Sequence, residues 1–129
     1  MKDLKNKDIE NVADIKLLID RFYEQVKQDD TIGYIFNDVA RVNWEEHLPT
    51  MYSFWSTTLL GVGSYKSNPM EKHILLSKKT PLTSAHFERW LQLWTATIDS
   101  NFYGRKAEEA KSRGRSIADL MLLKVSQRI

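Results

Sequence analysis

Apolar residues recur along most of the chain at steps of three and four, which is the period of a helix. Ile15, Leu18, Ile19, Phe22 and Val26 form one stripe, with Tyr23 at its margin and aspartates and lysines opposite, predicting a helix over residues 11–28. Asp29-Asp30-Thr31 breaks it and opens a short helical turn over residues 32–36, with Asn37-Asp38 as loop. A second long helix is predicted over residues 43–60. Asn43 caps it, Glu45 and Glu46 suit its positive end, and His47, Met51, Phe54, Trp55 and Thr58 share one face. Pro49 falls within the first two turns, where a missing amide hydrogen bond costs less than in a helix interior.

Residues 61–67, with Gly61 and Gly63, read as a flexible linker. Asn68 as cap and Pro69 at the first helical position then start a short helix carrying His73, which ends at Lys78-Lys79-Thr80-Pro81. Thr83 or Ser84 opens the next helix, the most aromatic one, whose stripe is Phe87, Trp90, Leu91, Trp94, Thr97 and Ile98. After Gly104 a final amphipathic helix carries Ala107, Ala110, Gly114, Ile117, Ala118, Met121 and Val125, small enough in places for close packing on a neighbour. The fold class expected is all-α.

Length changes this picture little: 129 residues make one domain, 1–129, with residues 1–10 expected as a loosely ordered extension. Such a chain is large enough to enclose a pocket. A net charge of +2, from 19 basic and 17 acidic residues, gives no reason to expect nucleic acid or a membrane surface as partner. The absence of cysteine removes disulfides, thiolate metal sites and cysteine nucleophiles. With no signal-peptide pattern and no run long enough to span a bilayer, the expectation is a soluble cytoplasmic protein.

Candidate chemistry rests on the three histidines. A lone histidine beside apolar residues is more often a hydrogen-bonded structural residue than a ligand. The helix of His73 is nevertheless too short to exist for packing alone and lies between two flexible connections, as suits an element that presents one side chain. His47 heads an otherwise bulky wall of Met51 and Trp55, Tyr23 sits at the edge of a buried stripe, and Trp90 and Trp94 are one turn apart, a spacing more often found in a core than in a cofactor wall. Buried indole N–H groups need partners, and a bound oxygen-containing ligand would be one. His86 lies off the Phe87, Trp90, Trp94 stripe and is expected to be exposed and without a role. No glycine-rich phosphate loop, nucleophile elbow or two-histidine zinc spacing is present, and the basic residues from Arg105 to Arg115 are interleaved with Glu108-Glu109 as on a solvated face.

The order of these pieces carries a resemblance. Phe22-Tyr23, Phe36, Trp44-Glu45-Glu46-His47, Met51-Tyr52-Ser53-Phe54-Trp55, Tyr65, Asn68-Pro69, His73 and His86-Phe87-Glu88-Arg89-Trp90-Leu91 follow one another as in the truncated haemoglobins, specifically their third group. The match runs from about residue 11 to residue 122. The resemblance implies a two-over-two helical sandwich around haem b. In it His73 is the proximal iron ligand and Phe36 the ring packed on the haem, while Met51, Trp55 and Trp90 line the pocket. Tyr23, His47 and Trp90 surround a ligand on the distal side, and Lys72 and Arg89 are charged neighbours available to the haem propionates.

The function so implied is binding of dioxygen and other small ligands (nitric oxide, carbon monoxide, cyanide, peroxide). Nitric oxide oxidation and peroxide handling are the further chemistry open to such a pocket, with an unidentified reductase as electron source. The alternatives are a haem-free helical interaction module, in which the aromatic stripes are core, and a haem-based sensor, against which stands the lack of an output domain beside the globin.

Overall fold

A computed structural model of the chain describes residues 7–39, 43–62 and 82–126. The expected helix of His73 and residues 63–67 of the expected linker lie outside the described residues, and so do Asn68, Pro69 and Lys72; Gly61 is the left-handed C-cap of the helix before them. Among the described residues the architecture is helical: α1 (Val12–Gln28), a π-helical turn (Ile35–Val39), α2 (Trp44–Leu60), α3 (Ser84–Asn101) and α4 (Arg105–Ser126). α1 packs on α2 and α3, and α3 packs on α4, so that one helix pair lies over the other.

Asn43 caps α2 as expected, and Asn11 caps α1. The Asn11 side chain accepts from the Asp14 amide at 3.0 Å, and that of Asn43 accepts from the Glu45 amide at 3.1 Å. α2 runs through Pro49 without interruption. Ile15, Leu18, Ile19, Phe22, Tyr23 and Val26 are buried as one face of α1, removing apolar surface from water at about 25 cal/mol per Å². The corner after α1 departs from expectation, because Asn37 and Asp38 belong to the π-helical turn and not to a loop. Asn37 supplies the reason, its amide donating to the Lys27 carbonyl at 3.0 Å, which satisfies an orphan group of the α1 terminus.

α3 and α4 meet through small residues. Ala107, Ala110 and Ala118 are buried on α4, and a Cβ added to Gly114 would lie 2.5 Å from Trp94 Cδ1. Trp94 is fully buried and its indole N–H donates to the Ala110 carbonyl at 2.9 Å. That indole therefore has a backbone partner and not a ligand. At the other end, residues 7–10, expected within a loose extension, are tied down. Ile9 is buried in the core, the Tyr103 amide donates to the Lys7 carbonyl, and Lys7 pairs with Asp14. Asp8 accepts from the Lys106 and Ala107 amides at 2.9 and 2.8 Å, capping α4 from a distant part of the chain.

Among the described residues, no helix is long and apolar enough to cross a membrane.

Candidate functional site at the junction of three helices

Four rings from three elements converge where α1 ends and α2 begins. Tyr23, in the last turns of α1, meets His47 of α2 edge to face, with centroids 5.1 Å apart. Phe36 of the π-helical turn lies 6.1 Å from Tyr23. Trp44, the first residue of α2, touches all three, at 5.3 Å from Tyr23, 5.6 Å from His47 and 6.1 Å, stacked, from Phe36. Its position one turn before His47 on the same helix face was the available sequence signal. Lys27, one turn after Tyr23, holds its ammonium 4.7 Å from the Trp44 ring centroid, a cation–π contact that covers the indole.

Trp90 joins this group through Phe22, which stands edge-on to it at 5.5 Å and touches Tyr23 at 4.8 Å. Met51 follows His47 by one turn and is half-buried. Trp55 sits deeper, buried and stacked on Trp94 at 4.5 Å. The expected site residues on α1, the corner, α2 and α3 thus lie in one connected aromatic assembly, while His73 falls outside the described residues.

Burial alone pushes the Tyr23 hydroxyl well above the usual phenol range. A phenol so placed stays protonated through physiological pH and serves as a hydrogen-bond donor. Its neighbours add an imidazole from His47 and an indole N–H from Trp90, and the wall around them consists of half-buried apolar residues: Phe36, Trp44, Leu48, Met51 and Phe54. Donor groups set in a mainly aromatic wall fit a largely apolar cofactor whose polar chemistry is confined to its centre. Among the described residues no three histidine or carboxylate side chains are grouped to hold a metal ion.

Two other side chains have different work from that expected. Arg89 pairs with Asp29 at 2.7 Å through Nε and Nη2, fastening the first turns of α3 to the C-cap of α1. The same Asp29 carboxylate accepts from the Thr31 and Ile32 amides, and these bonds hold its pKa below the ordinary value against the opposing cost of burial. His86, expected to have no role, accepts from the Thr83 amide through Nδ1 at 3.1 Å and so closes the start of α3. It also meets the Tyr34 ring at 6.4 Å.

Helices stacked two over two, with tyrosine, histidine and tryptophan gathered beside their crossing, define the truncated globin class. The chain belongs to the group III truncated haemoglobins: it is 35% identical over 92 residues to a group 3 truncated hemoglobin of Campylobacter jejuni, spanning 69% of this chain and 70% of that relative. The crystal structure of a group III truncated hemoglobin from Campylobacter jejuni superposes with a TM-score of 0.80 at 28% identity, covering 93% of this chain and 94% of the other. No family model matches the chain. Membership in the globin family implies haem.

Proposed function

We propose that the chain holds haem b with His73 as proximal ligand and binds dioxygen, nitric oxide, carbon monoxide, cyanide or peroxide on the side lined by Tyr23, His47 and Trp90. The observation that carries this reading is the contact of buried Tyr23 with half-buried His47, 5.1 Å between ring centroids, inside the wall of Phe36 and Trp44. When bound, the haem supplies the iron centre that takes up the ligand. His73 would give a neutral imidazole nitrogen, and Phe36, Met51, Trp55 and Trp90 would enclose the ring.

The protein's own part is to donate hydrogen bonds and exclude water. Tyr23 keeps its proton because burial disfavours the phenolate, so its hydroxyl donates to negative charge that develops on a ligand. The Trp90 indole N–H acts in the same sense, and His47, in contact with Tyr23, either donates as well or turns aside to admit a ligand. Donors of this kind retain a polar ligand and favour reactive chemistry, nitric oxide oxidation or peroxide reduction, over delivery.

An absorption spectrum of the purified chain tests the cofactor directly: a strong Soret band supports it, and a chain that haemin cannot reconstitute refutes it. His73→Ala should lose stable haem binding. Tyr23→Phe and Trp90→Phe should each speed dioxygen dissociation by about tenfold, the equivalent of one hydrogen bond of about 1.4 kcal/mol. Unchanged stopped-flow rates would remove those donors from the mechanism.

A further inference from the structure

Three indoles stand in a row across the interior. Trp90, half-buried beside the candidate site, stacks on Trp94 with centroids 6.0 Å apart and planes 10° from parallel. Trp94 in turn stacks on Trp55 at 4.5 Å and 29°. One turn before Trp55 on α2 is Tyr52, a neighbour on the same helix face. Its ring is half-buried, and its hydroxyl donates to the carboxylate of exposed Asp20 on α1.

We propose that Trp90, Trp94, Trp55 and Tyr52 form a route for single electrons between the haem side of the molecule and its surface, with Tyr52 as the outer terminus, serving peroxide reduction. This rests on the haem reading above. Indoles and phenols are readily oxidised side chains, and the three stacked indoles are close enough to exchange electrons rapidly; the last step, from Trp55 to Tyr52, spans one turn of α2. What distinguishes the four positions is where a proton can go.

Trp94 donates its N–H to the Ala110 carbonyl, too weak a base to remove the proton. An oxidised Trp94 therefore remains a cation and recovers an electron from Trp55. Tyr52 differs, because a phenol becomes strongly acidic on losing an electron and Asp20 is a carboxylate positioned to accept its proton. Before oxidation the proton is secure: burial and the Asp20 charge push the Tyr52 hydroxyl up to about 12. Lys16, with its ammonium 5.7 Å from the Tyr52 ring centroid, disfavours a cationic ring, so electron and proton leave together and a neutral tyrosyl results.

The balance closes with two named reactants. Hydrogen peroxide takes up two electrons and two protons and yields two waters. Each passage along the row delivers one electron inward, while the Tyr52 proton goes to Asp20 and then to solvent. A phenolic donor at the surface returns one hydrogen atom to the tyrosyl, so two donor molecules are oxidised by one electron each per peroxide.

The test begins without haem. Azide radicals, made by pulse radiolysis, oxidise tryptophan by one electron in the full-length chain. In the wild type the indolyl absorption should convert to tyrosyl absorption by first-order decay, at a rate independent of protein concentration. Tyr52→Phe should lose that conversion and Asp20→Asn should slow it; Tyr52→Phe keeps the half-buried ring, Asp20 is exposed, and circular dichroism checks that the fold persists. Tyrosyl formation of wild-type size and rate in Tyr52→Phe overturns the proposal. In the haem-loaded chain, freeze-quench electron paramagnetic resonance after hydrogen peroxide should give a tyrosyl signal in the wild type and an indolyl signal in Tyr52→Phe, and an unaltered tyrosyl signal again overturns it. Failure of the haem reading appears separately, as a chain without a Soret band, while the radiolysis result still decides whether the row conducts.

Discussion

Where α3 meets α4, alanines and a glycine bring the backbones close, and Trp94 fills the remaining space with its polar atom bonded to the Ala110 backbone. Where α1 meets α2, the contact is made by large rings, several of them half-buried, and their polar atoms are side-chain hydroxyl, imidazole and indole groups. The first seam joins its polar group to the backbone, and the second gathers its polar groups on side chains. Two tryptophans one turn apart on α3 fall on opposite sides of this division, Trp94 in the core and Trp90 at its edge.

The sharpest way to break the comparison is to crowd the first seam. Gly114→Val would drive atoms into Trp94, whose Cδ1 lies 2.5 Å from the nearest added Cβ, and should cost about 3 kcal/mol by chemical denaturation. A cost below about 1 kcal/mol would mean that this seam is as adaptable as the other. Asp29→Ala comes next, because it strips two amides and Arg89 of their shared acceptor and loosens α1 from α3; a loss of about 2 kcal/mol is expected.

Acid should act in the same direction. Asp8, Asp14 and Asp29 all have folded-state pKa values below the ordinary 3.8, so the stability they contribute is present above that value and is lost as pH falls through their lowered values. A denaturation midpoint that stays constant on acidification through that range would contradict these bonds. His86→Ala should cost about 1 kcal/mol through the start of α3 and leave the haem absorption unchanged. Tyr23→Phe should have the smallest effect on stability, within about 0.5 kcal/mol, since it removes a hydroxyl and keeps the ring. A large loss there would place Tyr23 with the core seam.

Helix limits were legible wherever a cap is local: Asn11 and Asn43 act within three residues, and the sequence shows both partners. The aromatic members of the site were legible by their order. The π-helical turn was not, because its extra residue per turn has no compositional signature and depends on Asn37 reaching back to the Lys27 carbonyl. What Arg89 and Trp94 bond to was not legible, for one reason. Their partners, Asp29 and Ala110, are brought to them by helix packing, and a sequence lists no such neighbours. The central position of Trp44 was legible only toward His47, one turn on; its contacts with Tyr23 and Phe36 come from packing of separate elements.

The cap that Asp8 places on α4 has a consequence for the order of synthesis. Its carboxylate bonds amides 98 and 99 residues further along, beside Gly104, whose φ of 136° and missing side chain admit Asp8 against the backbone. A ribosome must add 98 residues beyond Asp8 before the first of those bonds can close, so this contact forms late relative to the local caps. The two segments then report on each other: in hydrogen exchange, the first amides of α4 should lose protection together with residues 7–10, in one opening event and not as two independent ones.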